Sequence, residues 1–527
     1  MIKPSLAAHR LLTLRNPLTR AILVALALIA LVVTLRGPAS PVRSIQQQFH
    51  SLRHKSQSSG SPSGRDCFID GYYLDQLKAK YELDDEIDYA QRYIRFHPQD
   101  TRRKSITKID DFLFPKAFET FKISSAPGEA ICLAPFEVPV SKSPDPSTAD
   151  GSDFLFGIST TFTRLNDPKI GPIKEWSHWL TDGHGKSNGA GLVLRLIDAT
   201  DAEIAETERK MEALGIDVKV YRSDSEIPMA QRYLSLLPAL YNDSSRKHRK
   251  WLVMCDDDTF FPSMHALIEK LSVFDYDQDL YIGTLSEDVN AIQRHGSQAF
   301  GGAGVFFSMS LATKITALYA QCSTEEKLKE SDSGWGMQGD ILLRKCIYEH
   351  TDVRLSMIQD LFQLDLFGDP SGFYEAGLKP YSLHHFKGGM WHVAKPYQGV
   401  QVSHACGEDC FLQRFQSNDD YILSNGYSIA YYPKGIDFDT HQMERTFVPA
   451  PDDYGYNLDF KFGPQRKSLL QTGKKAAWLL EESEVQSDGS VRQVYIRRKN
   501  DERWVQAPDG PKMFERDGIV ELIWISA

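Results

Sequence analysis

At 527 residues with 42% hydrophobic content, the chain has room for roughly two to four domains, or for one large enzyme domain with extensions, and for a sizeable core. Its net charge of −10 is unevenly spread: residues 1–66 carry nine Lys or Arg and one acid, a balance of +8, which leaves −18 for the rest. A body that acidic argues against nucleic acid as the main partner.

Along the chain, Lys3, Arg10, Arg15 and Arg20 precede an uncharged run, Ala21–Leu35, in which Thr34 is the only polar side chain. The run is short against the roughly 20 residues of a full span, but flanking residues extend it, and the basic side favours a cytoplasmic N-terminus. A cleavable signal peptide is the competing reading. Arg36-Gly37-Pro38-Ala39-Ser40 is a poor cleavage site, so residues 1–20 read as a cytoplasmic tail and 21–36 as an uncleaved signal-anchor transmembrane helix. Residues 37–66, rich in Ser, Gln, Gly and Pro, cannot bury a core and read as a flexible stem. This predicts a single-pass type II protein with a lumenal body.

The body starts near Cys67, and residues 67–137 form an N-terminal lumenal segment of unassigned role, followed by a linker at 138–152. A regular alternation then sets in. Strands are predicted at Phe154–Ile158, Leu192–Ile197, Val218–Tyr221 and 251–255, with Tyr281–Gly283 continuing the sheet. The capping box Thr200-Asp201-Ala202-Glu203 opens a helix that ends at Gly215, and a second helix covers 229–241. Strands alternating with helices imply an α/β fold with a doubly wound, mostly parallel sheet. Past residue 400 the alternation fades, and strand-like pieces (Val494–Ile496, Val520–Ile525) predict a small β-rich appendage within a C-terminal extension, 396–527. An odd count of seven cysteines leaves at least one thiol unpaired, and Cys255, inside a presumed buried strand, is the leading candidate. Cys406 and Cys410 are close enough for a small loop bridge. The sequon Asn242-Asp243-Ser244 suits a loop in a secretory compartment.

The most informative residues are Asp256-Asp257-Asp258, directly after the apolar run Trp251–Cys255. Three carboxylates at the end of a buried strand repel one another unless a cation neutralises them, and oxygen ligands suit Mg²⁺ or Mn²⁺. Ligands of open α/β sheets bind at the carboxyl ends of the strands. Other residues admit two readings each. Asp340 is a helix cap or a general base. His384 is an ordinary buried histidine or a ligand, with His385 its neighbour and competitor. Gly301–Gly304 is a tight turn, or a close backbone approach that leaves room for a sugar. Trp335 is core or a surface for stacking on a sugar ring.

In order, Thr160-Thr161 with Arg164, the acidic triplet, FGGAGVFFS, GDILLRKC and Ser382–His385 resemble the Fringe-like inverting glycosyltransferases of glycosyltransferase family 31, which include the core 1 β1,3-galactosyltransferases. The resemblance covers roughly 152–395, and CGEDCFLQRF looks like a fungal branch of the family. It implies a GT-A-like domain, a UDP-sugar donor, Mn²⁺ (or Mg²⁺), a glycan or glycoprotein acceptor, and a Golgi or ER membrane location. It implies that Asp258 and His384 bind the metal, that Thr160, Thr161, Arg164, Asp256, Asp257, Gly302 and Gly304 hold the nucleotide sugar or its site, and that Asp340 is the catalytic base. Cys322 would pair with Cys346, and Cys406 with Cys410. Gly339 stands where the family has an acid, which puts acceptor preference in doubt. The implied function is transfer of a sugar, galactose or N-acetylhexosamine, to a hydroxyl in the secretory pathway. The alternatives are an inactive lumenal carbohydrate-binding protein and another metal-dependent nucleotide enzyme.

Overall fold

The computed structural model describes residues 67–128, 133–437, 439–440, 475–499 and 514–527. The predicted tail, anchor and stem lie outside the described residues, among which no helix is long and apolar enough to cross a membrane. In chain order the strands are β1 (Glu86–Gln99), β2 (Thr107–Lys108), β3 (Glu119–Lys122), β4 (Phe136–Ser141), β5 (Phe154–Thr161), β6 (Gly191–Ile197), β7 (Asp217–Ser223), β8 (Trp251–Met254), β9 (Tyr281–Gly283), β10 (Val305–Ser308) and β11 (Leu355–Met357). They continue with β12 (Arg414–Gln416), β13 (Tyr421–Ser424), β14 (Ser428–Tyr431), β15 (Ala476–Val485), β16 (Val491–Arg497) and β17 (Asp517–Ser526).

The predicted alternation builds a seven-stranded sheet in the order β11-β9-β10-β8-β5-β6-β7. Strands β8, β5, β6 and β7 run parallel, so the doubly wound expectation holds there. Both faces are covered, which is why β5 reads as a continuous apolar run. Phe154, Phe156 and Ile158 enter one core with Trp176 and Trp179 of the helix Ile173–Leu180. Leu155 enters the other, with Leu234, Leu237 and Leu240 of the helix Met229–Asn242. The capping box forms as predicted, with Thr200 and Glu203 capping each other's backbone at the start of the helix Asp201–Glu212.

One strand departs from the parallel pattern. β10 runs antiparallel to both β8 and β9, with Val305 opposite Met254. This reversal places the residues just before β10 beside those just after β8. Gly301–Gly304 therefore meets Asp256–Asp258 in space.

The rest of the body corrects the sequence reading. The tail is not a small appendage: β12–β17 join β1–β4 in one ten-stranded sheet, ordered β2-β12-β13-β14-β15-β16-β17-β1-β3, with β4 on β1. β1 and β17 lie parallel over ten residue pairs, from Ile87 opposite Asp517 to Phe96 opposite Ser526. The linker reading at 138–152 is also revised, since Val138–Ser141 pairs with β1 as part of β4. Pro139 fits there because β4 is an edge strand. Disulfides join Cys322 to Cys346 and Cys406 to Cys410, and Cys255 is a free, buried thiol, all as expected. Asn242 is exposed at the end of its helix.

Candidate active site

The acidic triplet follows β8 as a tight turn, with the Asp256 amide donating to Thr259 Oγ1 (3.0 Å) and Thr259 Oγ1 to the Gly302 carbonyl (2.8 Å). Its three carboxylates point in two directions. Asp257 is buried and turns towards β5, where it accepts from Thr160 Oγ1 and from Arg164 Nε (2.6 Å). Asp258 and Asp256 turn the other way, towards His384. His384 Nε2 lies 3.0 Å from Asp258 Oδ1 and 3.5 Å from Asp256 Oδ2. One ligand atom from each of the three falls within 4.8 Å of the others.

The tautomer of His384 follows from its other nitrogen. Nδ1 faces the Gln363 carbonyl at 3.2 Å, and a carbonyl can only accept, so Nδ1 carries the proton. Nε2 then directs a lone pair, or a second proton, at two carboxylates. Burial opposes charging His384, but Asp258 and Asp256 hold it protonated well above the usual histidine range. Burial likewise raises the Asp258 carboxyl, but His384, His385 and Arg164 outweigh it and hold it below the usual carboxylate range. Two carboxylates and one Nδ1-protonated imidazole form a donor set that fits Mn²⁺ well, and Mg²⁺ less well because it prefers oxygen.

His384 is thereby distinguished from its neighbour. His385 adopts φ +56° and pairs with a different acid. Its Nδ1 lies 3.1 Å from Asp365, which also accepts from Ser286 Oγ (2.5 Å), and its ring stacks on Trp391 with centroids 4.0 Å apart.

Asp340 lies on the wall of the same cavity, about 380 Å³ in volume, with Asp256, Gly302, His384 and His385. It is the second residue of the helix Gly339–His350, whose N-cap position belongs to Gln338, so the helix-cap reading does not hold. Burial and the Asp256 charge push its carboxyl up to about 7, against the opposing pull of the Gly301 amide. A carboxyl poised there can exchange a proton near neutral pH.

The glycines have steric reasons to be glycine. A Cβ on Gly302 would sit 2.1 Å from His384 Cε1, and one on Gly301 2.5 Å from the Tyr233 hydroxyl. A Cβ on Gly339 would meet the Tyr233 side chain at 2.5 Å. Tyr233 thus excludes any side chain, an acid included, at the position before Asp340. Gly304 has φ +92° and faces Phe261 and Phe306, so it shapes the turn and does not line the cavity. Thr161 likewise acts locally, its hydroxyl capping the short helix Phe162–Leu165 by accepting from the Arg164 amide (3.1 Å). Both Thr160 and Thr161 are the last residues of β5 and do not follow it, as the sequence reading had them.

Of the sequence-predicted residues, the structure brings Asp256, His384, Gly302 and Asp340 to one cavity, sets Asp258 against His384 beside it, and holds Thr160, Arg164 and Asp257 together behind the acidic turn. Sequence reasoning missed Tyr233, Gln363, Asp365 and Glu287. Buried Glu287 accepts from the amides of Gln363 (3.0 Å) and Leu364 (2.8 Å), which fixes the loop whose carbonyl orients His384. Gln363 acts through its backbone, which any residue supplies, so it leaves no signal. Tyr233 is one aromatic residue among the leucines of a predicted helix.

Residues 198–367 match the Fringe-like family model. A 130-residue stretch is 29% identical to the beta-1,3-N-acetylglucosaminyltransferase radical fringe of Xenopus laevis. It spans 22% of this chain and 38% of that relative. These matches bear out the Fringe-like resemblance. Among solved structures, the glycosyltransferase GlyE of Streptococcus pneumoniae is similar with a TM-score of 0.27 and 11% identity, over 39% of this chain and 45% of that one. Mouse xyloside xylosyltransferase 1 gives 0.25 and 11%, over 39% and 85%. At such scores the structural likenesses carry no weight for function.

Proposed function

We propose that this Fringe-like chain is a metal-dependent inverting glycosyltransferase that moves galactose or N-acetylhexosamine from a UDP-sugar to a hydroxyl of a glycan or glycoprotein. One observation carries the reading: Asp256, Asp258 and His384 converge on one point, and Asp256 and His384 line the cavity that Asp340 also lines. A divalent ion held by those three groups would neutralise the charge of the departing diphosphate. Asp340 accepts the proton of the acceptor hydroxyl as that oxygen attacks the sugar C1 from the face opposite the leaving group. A single displacement of this kind needs one base and no covalent nucleophile, and the cavity presents one carboxylate outside the ligand trio on the side of the helix Gly339–His350. The seven-stranded sheet is then the donor-binding half expected of a GT-A-type domain. Thr160, Thr161 and Arg164 stand at the donor side, and Thr160 and Arg164 hold Asp257, which keeps the acidic turn in register.

The cellular setting belongs to the same proposal. Residues 21–36 anchor a type II protein in the Golgi or ER membrane, with the body in the lumen. The two disulfides and the exposed Asn242 sequon are compatible with that compartment.

The test is UDP release from a panel of UDP-sugars with Mn²⁺, Mg²⁺ or chelator. Transfer by the full chain with one donor, abolished by chelator and by Asp258→Asn, is the expected result. Metal-independent turnover, or a variant with unchanged metal dependence, would remove the trio from the mechanism. Protease digestion of the body in intact microsomes would refute the lumenal orientation.

A further inference from the structure

We propose that Trp335 is a platform for a sugar ring of the acceptor, which makes the mouth of the cavity the acceptor subsite; this rests on the transferase reading above. The sequence leaves Trp335 open between a core role and a surface one. At 71% exposure it is not core. An indole left in water and held rigidly is a binding feature more than a packing one.

The chain holds this side chain in place by several means. Asp332 accepts from the amides of Gly334 (2.8 Å) and Gly336 (3.1 Å), the two residues that flank Trp335. Both glycines take the left-handed backbone, at φ +87° and +100°, and a bridge between Asp332 and Met337 closes the turn. The Arg294 guanidinium stands 3.2 Å from the indole centroid and covers one face. His295 meets the indole edge-on, with ring centroids 6.3 Å apart, and the rest of the exposed ring is open to a ligand.

The position in the cavity says which ligand. Trp335 lines the cavity that holds Asp340, five residues later in the chain, where the acceptor hydroxyl must arrive. Thr160, Thr161 and Arg164, on the donor side, do not line it. Met390 and Phe367, 69% and 45% exposed, line the same cavity, and Phe367 stacks on Trp391 at 5.0 Å. The cavity thus has a floor of carboxylates and imidazoles and apolar lips. A pyranose matches that pattern, with hydroxyls for the floor and C–H faces for the lips.

The experiment is saturation-transfer-difference NMR on the full chain with Mg²⁺, with and without UDP. The probes are the methyl glycosides of galactose, glucose, mannose, N-acetylglucosamine and N-acetylgalactosamine, with UDP affinity followed by calorimetry with Mn²⁺. At least one glycoside should bind the wild type. Trp335→Ala should weaken that binding about tenfold, Trp335→Phe should keep most of it, and Arg294→Ala should lose about threefold, all with UDP affinity unchanged. Equal glycoside binding by Trp335→Ala would overturn the platform. So would loss of UDP affinity in that variant, which would assign the indole to the donor, or a wild type that binds UDP and no glycoside. A wild type that binds a glycoside through Trp335 but never binds UDP would leave the platform standing and sink the transferase reading. Binding of neither probe would overturn both.

Discussion

The two sheets of the body contrast in how their strands meet. The seven-stranded sheet is built from residues 154–357, and its parallel core pairs strands separated by helical connections. The ten-stranded sheet takes its first strands from residues 86–141 and the rest from 414–526, and its β1–β17 pairing joins residues about 430 positions apart. The candidate site lies at the carboxyl end of the first sheet, and the segment that leads into the second sheet's β12 reaches it. Buried Glu408, beside Cys410, accepts from Ser263 Oγ just beyond the acidic turn. Local patterning can specify a site, but the support around that site depends on pairings that no window of sequence contains.

Substitutions test whether the two sheets divide the work this way. The largest effect is expected at the site: Asp340→Asn should lower turnover by about 10²–10⁴-fold while UDP-sugar affinity and melting temperature stay close to wild type. Near-normal turnover would take the base away from the first sheet. The second sheet should answer in stability alone. Lys475 and Glu375 form a fully buried ion pair, and Ser428 of β14 donates to the same carboxylate (2.7 Å). Lys475→Met leaves that carboxylate uncompensated, at a cost of about 3–5 kcal/mol in denaturant unfolding, with kcat unchanged where the protein remains folded. A selective loss of kcat would erase the distinction between the sheets.

Gly302→Ala sharpens it from the other side. The new Cβ has to displace His384, so metal affinity should fall about 10–100-fold, as when the support of a ligand is lost. Titration with Mn²⁺ reads this directly, and unchanged affinity would free His384 from the metal. The smallest effect is in pH. Because burial raises the Asp340 carboxyl above the usual carboxylate range, the base is protonated on the acid side and transfer should decline there by about tenfold per pH unit, on a limb that moves to lower pH as the metal neutralises Asp256. The residual activity of Asp340→Asn should lack that limb.

Legibility follows the same divide. The strands at 154–161, 191–197 and 251–254 are readable because apolar runs buried on both faces stand out between helical patterns, and 217–223 because Val218 and Val220 alternate with more exposed residues on an edge strand. The acidic triplet is readable because charge directly after such a run is costly without a purpose. The meeting of Asp340 with Asp256 in one cavity is expected from the shared sheet edge, but the reversal of β10 that brings Gly302 to His384 is not. Antiparallel pairing inside an alternating fold depends on a register that short strands such as Val305–Ser308 do not encode alone. The ten-stranded sheet escapes the sequence for a related reason. Its strands read as two unrelated ends, since neither end buries its own edge and each completes the other.

The parallel pairing of β1 with β17 also sets an order of events during synthesis. A ribosome emits β1 early and its partner at the far end of the chain, a delay of roughly 20–90 s at ordinary elongation rates. Throughout that interval Ile87, Tyr89 and Ile94, all buried in the finished protein, lack the strand that covers them. The first strand to leave the ribosome is therefore among the last to be locked, and a nascent chain halted before Asp517 carries an open, apolar sheet edge for chaperones to bind.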